Sequence, residues 1–247
     1  MPTLSLGLGR FRKRLIGFGL AAAALTGAPA AAQRAAVPYR TGWGDVAAIA
    51  VLGGLGLAPL AARLPHGAPD CAPCDPASLP AIDRGVVGVS SASAGTASDV
   101  LLIGVMGGAA VASIASAPGA QRTGNAVVLG ETIAAAYAAS GWLKVAVGRE
   151  RPVMYTSDAA AAAGDSDNQR SFPSGHTTAA FAAATAYFVI SGRQHLPHRT
   201  RNAVLLFGGA TAVGALRVAA GSHFPTDVLA GAAVGAVLGW LIPTLHH

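Results

Sequence analysis

Charge is scarce in this chain. Only 11% of its 247 residues are Asp, Glu, Lys or Arg, against about a quarter in an ordinary soluble protein. Lysine is nearly absent, with Lys13 and Lys144 alone. Acidic side chains run out after Asp167, and Asp227 is the single one beyond it. Aromatics make up 6% of the chain, and there are two cysteines, Cys71 and Cys74. These shortages exclude several classes. Two cysteines cannot by themselves close a structural zinc site, which wants four ligands. The formal charge of +6 is not a nucleic-acid footprint. Much of it sits in Arg10, Arg12, Lys13 and Arg14 and in Arg193, Arg199 and Arg201. No stripe of bases interleaved with aromatics follows.

What is abundant is small and apolar. The chain is 52% hydrophobic with 32 glycines, and its mean hydropathy is +0.49. The length fits one domain with a sizeable core. Apolar segments recur at about 46–62, 100–117, 126–143, 177–192, 203–220 and 228–242. None alternates with a period of two, so each reads as a helix. Several approach the roughly 18 residues that mark a membrane span. The expected fold is all-α, a membrane bundle of about five to six apolar helices. Glycines four apart, Gly104/Gly108 and Gly231/Gly235/Gly239, predict faces of close helix approach. Glu131 falls inside the 126–143 segment. An ionisable group there is a functional suspect, and it is read as an interior hydrogen-bonding residue.

Three regions are expected. Residues 1–32 read as a secretory signal, with bases at 10–14, an apolar stretch from Leu15 and small residues at Ala30-Ala31-Ala32. An uncleaved first membrane helix is the alternative. Residues 33–98 form an N-terminal helix and an acidic loop carrying Cys71 and Cys74, and 99–247 a helical domain. Outside the cytoplasm the two cysteines are expected as a disulfide; a redox role lacks a surrounding βαβ pattern. The loops at 118–124 and 193–202 carry bases and no acid, which places them on the cytoplasmic side. The 65–98 loop, the 144–176 connection and the 217–227 turn then lie outside. Signal and span counts agree if 46–62 lies at or above the outer face once 1–32 is removed.

The remaining charges cluster in three motifs. Lys144 precedes Arg151-Pro152 by seven positions. Arginine offers a planar fork to two phosphate oxygens and lysine a compact charge; alone, both could be interfacial snorkelling residues. Pro173-Ser174-Gly175-His176 opens an apolar helix, whose first N–H groups and positive dipole end face an anion. Ser174 can donate to phosphate or simply cap that helix. Arg217 closes a helix, and His223 and Asp227 stand four apart. A carboxylate accepting from one imidazole nitrogen aims the other nitrogen's lone pair outward. The alternative is a buried structural His–Asp pair. All three motifs sit at helix ends on one predicted face. No metal cluster is legible: His195 and His198 lack a third ligand, and His246-His247 is a terminal pair.

Taken together the motifs resemble the type 2 phosphatidic acid phosphatase family, which shares its site with the vanadium haloperoxidases. The family pattern of Lys-x6-Arg-Pro, Pro-Ser-Gly-His and Ser-Arg-x5-His-x3-Asp is met at every position but Leu216, where the family usually has Ser. The resemblance covers about 126–243 and extends more weakly over 70–100. It implies that His223 attacks phosphorus, that Asp227 orients it, and that His176 protonates the leaving group. It also implies that Lys144, Arg151, Arg217, Ser174 and the Gly175 N–H hold the phosphate oxygens, with no cofactor and no metal. The expected partners are the membrane and a phospholipid or isoprenoid phosphate, cleaved at a bacterial inner membrane on its periplasmic side. A periplasmic acid phosphatase, a vanadate-dependent haloperoxidase and a non-enzymatic lipid-binding protein stay open as alternatives.

Overall fold

The computed structural model describes residues 39–246. The expected signal at 1–32 lies outside the described residues. These contain α-helices and short 3-10 turns, with no strand among them. The helices are α1 (Trp43–Ala61), α2 (Ala81–Arg84), α3 (Ala92–Ile114), α4 (Gly119–Val147), α5 (Ala159–Ala162), α6 (Gly175–Arg193), α7 (Arg199–Ala219) and α8 (Pro225–Leu245). Their ends follow local chemistry. Ser91 caps α3 by accepting from Ala94 N at 3.3 Å. Pro225 occupies the first turn of α8, where its missing N–H costs nothing. Gly148 ends α4 in the left-handed region, at φ 59°. Gly221 turns α7 into α8 at φ 69°, and a Cβ there would lie 2.0 Å from the Val89 carbonyl oxygen, so only glycine fits.

Five helices, α1, α3, α4, α7 and α8, are long and apolar enough to cross a membrane. Large apolar side chains on them stay exposed, among them Ile103 (68%), Val204 (67%) and Leu205 (66%). Such a surface suits lipid and not water. This is a multi-pass membrane protein. α6 falls outside the set of five because it is central: it packs on α3, α4, α7 and α8. Its buried positions are mostly alanine with Thr177, Thr178, Tyr187, Ile190 and Ser191. A helix screened from lipid by its neighbours needs no bulky apolar surface.

The glycine faces are used unequally. α8 lies parallel to α6 with Gly231, Gly235 and Gly239 against Ser174, Thr178 and Ala182 in turn; added Cβ atoms would meet their carbonyl oxygens at 2.6, 2.2 and 2.5 Å. The expected Gly104/Gly108 face is not of this kind. Nothing lies within 4 Å of a Cβ at Gly104, and the close approach between α3 and α7 is at Gly209, against Val105.

The segment 46–62, expected at or above the outer face if residues 1–32 are removed, is a helix long and apolar enough to cross a membrane. α1 runs alongside α4 in the same direction: Ile49 meets Gly130, Gly56 meets Tyr137 and Ala138, and Pro59 meets Gly141. Small residues on both helices permit that contact, and Pro59 falls in the last turns, where it spoils little of the hydrogen-bond ladder. α1 therefore begins at the end remote from the phosphate-type motifs. α3 begins at Ala92, so residues 92–98, expected in the acidic loop, are its first two turns.

α3, α6 and α8 start at one end of the bundle, and α1, α4 and α7 finish there. The 65–91 loop, the 148–174 connection and the 220–224 turn all gather at that end. Cys71 and Cys74 are joined by a disulfide. Cys74 N donates to Met154 O at 2.8 Å, which fastens the cysteine loop to the long connection. At the opposite end Asn125 binds Ser113 O and Gln194. His246, expected as part of a bare terminal pair, stands there 3.1 Å from Glu131 and 3.3 Å from Asp45. The chain bend after α8 brings these three together; no sequence spacing announces it.

Candidate active site

The three motifs meet at the end where α6 and α8 begin. Ser174 N donates to Asp227 O at 3.0 Å, which locks the start of α6 to the first turn of α8. Ser174 is the N-cap of α6: its Oγ accepts from Thr177 N at 3.5 Å and from Thr177 Oγ1 at 3.0 Å. The next residue, Gly175, is the first of the helix, with the Lys144 side chain beside it. Lys144 is buried at the end of α4, and its ammonium donates to the carbonyls of Arg170 and Ser171. Arg151 donates through Nε to Asp167 O at 2.8 Å, pairs with the Asp167 carboxylate at 2.7 Å and reaches Ser222 O, next to His223, at 3.4 Å.

His223 is 2% exposed. Burial pushes its imidazole well below the ordinary range; Asp227 opposes this, and the charges of Lys144 and Arg151 add to the depression. The ring is therefore uncharged at neutral pH and keeps a lone pair. Its Nδ1 faces Asp227 Oδ2 at 3.6 Å, longer than a hydrogen bond, and has no other partner among the described residues. The carboxylate is held back by prior commitments. Asp227 Oδ2 accepts from Ser171 Oγ at 2.5 Å and Phe224 N at 2.9 Å, and Oδ1 from Arg149 at 2.6 Å.

His176 and Arg217 are on the more open side. His176 Nε2 is 2.7 Å from Asp99 Oδ1, and Arg217 lies 3.5 Å from the same oxygen. The side chains of His176 and Asp99 are 31% and 58% exposed. Arg217 takes a hydroxyl partner from Ser98 on α3, at 3.2 Å, beside the Leu216 position where the family pattern has Ser. Arg217 Nε is buried with no partner among the described residues, as is Arg170 Nε. Buried unpaired donors are rare in folded proteins and mark sites built for a ligand or for strain.

Several of these groups were not read as site residues from the sequence. Asp83, on the short α2, accepts from Thr226 N and Oγ1 and from Arg149 at 2.8 Å. Arg149 thus bridges two fully buried carboxylates, Asp83 and Asp227. It also lies over the Phe224 ring, 4.4 Å from its centre. Asp99, Ser171 and Arg170 complete the surroundings. The pairing of Asp83 with Thr226 spans 143 positions, and no local pattern marks such a partner. Two signals were available: the weaker resemblance over 70–100, which contains Asp83 and Asp99, and the scarcity of carboxylates, each of which calls for a cation in an apolar context.

The model of the PAP2 superfamily matches residues 125–247. That range contains all three motifs. The chain belongs to the PAP2 superfamily. Membership supports a phosphatase-type activity at the level of the superfamily. No curated protein and no solved structure matched the chain. Asp83 and Asp99 lie before the matched range, so the parts of the site they supply come from this chain's own N-terminal portion.

Proposed function

We propose that this protein hydrolyses phosphate esters or diphosphates of membrane lipids through a phosphohistidine on His223. The observation that carries the reading is a buried, uncharged His223, backed by Asp227 and pressed by the charges of Lys144 and Arg151, at the end where α6 and α8 begin. A basic imidazole beside fixed cations is a nucleophile aimed at an anion.

With Nδ1 facing Asp227, the Nε2 lone pair attacks phosphorus and forms the P–N bond. The P–O bond to the leaving group breaks, its electron pair goes to that oxygen, and His176 supplies the proton. Water then attacks the phosphohistidine, His176 takes up its proton, and the P–N electrons return to His223. Lys144, Arg151, Arg217, the Gly175 N–H and the Ser174 hydroxyl hydrogen face the equatorial oxygens, where negative charge builds in the transition state. Fixed cations supply this electrostatic work, so the reading includes no catalytic metal. The leaving group sits on the exposed side of His176 and Asp99. The lipid-type outer surface of the helices favours a substrate held in the bilayer, and the basic loops at the far end favour a site on the periplasmic face.

The test is phosphate release by detergent-solubilised protein with EDTA present. Phosphatidic acid, an isoprenoid diphosphate and p-nitrophenyl phosphate form the panel, with His223→Ala alongside. Release by the parent that falls by about 100-fold or more in the variant supports the histidine mechanism. No release on any substrate from folded protein rejects the reading.

A further inference from the structure

We propose that Asp45, Glu131 and His246 bind one divalent first-row cation of the zinc class, at the end of the bundle remote from the phosphate site. The three come from the first turn of α1, the interior of α4 and the residue after α8. Their ligand atoms all lie within 4.8 Å of one another. His246 Nε2 is 3.1 Å from Glu131 Oε2 and 3.3 Å from Asp45 Oδ1. A zinc ion about 2.0–2.2 Å from each donor sets neighbouring donors roughly 3–3.5 Å apart. His246 Nε2 already stands at that separation from both carboxylates, whose own oxygens lie within 4.8 Å of each other.

Proton positions strengthen the case. His246 Nδ1 is 3.1 Å from Ile242 O. A carbonyl oxygen only accepts, so Nδ1 carries the hydrogen. In the neutral ring Nε2 then holds a lone pair, and that lone pair faces two carboxylate oxygens. Metal-bound histidines are held this way, with the other N–H donated to a carbonyl. Glu131 Oε2 is buried, and apart from His246 Nε2 at 3.1 Å no donor among the described residues reaches it. Asp45 Oδ2 is committed to Gly42 N at 2.6 Å, which leaves Oδ1 turned to the cluster. The nearby Arg193 donates to the carbonyls of Thr244 and His246, at 3.3 Å each, and no ion pair with these carboxylates is formed by it. A cavity of about 370 Å³, lined by Asp45, Glu131, Ile242, Leu245 and His246, has room for water to complete the coordination.

Glu131 and Lys144 lie 13 positions apart on α4, about 20 Å along the axis. The ion therefore takes no part in phosphate chemistry and staples the start of α1 and the end of α8 to α4. A ligand that binds the folded state alone raises stability with its concentration.

The experiment uses the full chain in detergent without a histidine tag, stripped with EDTA, dialysed and titrated with Zn²⁺ and Mn²⁺ at pH 7.5. Metal per chain is measured after gel filtration, and the melting temperature is followed in parallel. One Zn²⁺ per chain and a melting temperature that climbs with Zn²⁺ are expected. Glu131→Gln and His246→Ala should each weaken binding by tenfold or more and abolish the thermal response. His195→Ala should leave both intact. Asp45→Asn repeats the test if Glu131→Gln fails to fold. No saturable binding up to millimolar Zn²⁺, or binding unchanged in the cluster variants, overturns the proposal. So does a stripped protein whose melting temperature ignores metal and peaks at acid pH, the sign of a proton-bridged ion pair.

Discussion

Replacing Arg149 by methionine would leave two carboxylates facing each other with their shared cation gone. Asp83 and Asp227 are both fully buried, and Arg149 contacts them at 2.8 and 2.6 Å from the two arms of one guanidinium. Removing one partner of a buried ion pair costs about 3–5 kcal/mol, because the charge left behind has lost both water and its counter-ion. Here one substitution strips two charges at once, though Thr226 and Ser171 still donate to them. A loss of about 4 kcal/mol is the working value, near a 1,000-fold change in the folding equilibrium. That is a large part of the 5–15 kcal/mol that holds an ordinary domain together. The measurement is thermal unfolding in detergent with p-nitrophenyl phosphate turnover on the same samples. Adding Asp83→Asn to the methionine variant should restore about 1–2 kcal/mol, since one uncompensated charge disappears. Lysine at 149 should rescue poorly, because a point charge cannot span both carboxylates. A methionine variant within 1 kcal/mol of the parent, or no gain from Asp83→Asn, would refute the bridging role.

Other expectations follow from single contacts. Asp99→Asn removes a carboxylate from beside His176 and Arg217. Inorganic phosphate should then inhibit about threefold to tenfold more tightly, the modest size reflecting screening at an exposed group; unchanged inhibition would show that Asp99 does not act on the anion site. Gly235→Ala sets a Cβ 2.2 Å from Thr178 O and should cost about 1–3 kcal/mol by overpacking. Gly104→Ala meets open space and should be neutral or stabilising by up to about 1 kcal/mol, so thermal melts of the pair check the packing of α6 on α8. His223 is held below its ordinary range by burial. The unfolded chain therefore takes up a proton near pH 6.5 while the folded one does not. Its contribution is present above about pH 6.5 and is lost as pH falls below that value. Melting curves from pH 8 to 5 should decline more steeply in the parent than in His223→Gln.

Much of the site was legible because its residues are local. Lys144 to Arg151 runs off the end of α4, Ser174 to His176 opens α6, and Arg217 to Asp227 spans the tight turn from α7 into α8, so each group stays close in sequence. The helices were legible too, since apolar runs of this length leave few other structures. What resisted reading was contact over long separation and position relative to lipid. In the sequence Asp83 and Asp99 belong only to the weaker resemblance over 70–100, which gave them no role. Only the fold sets one under Arg149 and the other against His176.

Composition and apolar patterning pointed to a helical membrane protein, and motif spacing with the family resemblance named the eight residues to examine for phosphate chemistry. Charge is too costly in an apolar context to persist at those spacings by neglect. The tertiary structure alone decided three further points. It made α6, the least lipid-like long helix, the centre of the bundle. It laid α1 along α4, which the span count had left undecided. It gathered Asp45, Glu131 and His246 from helix positions up to 201 residues apart. Each depends on which helix faces which, and close packing of small residues settles that by contacts no local pattern encodes.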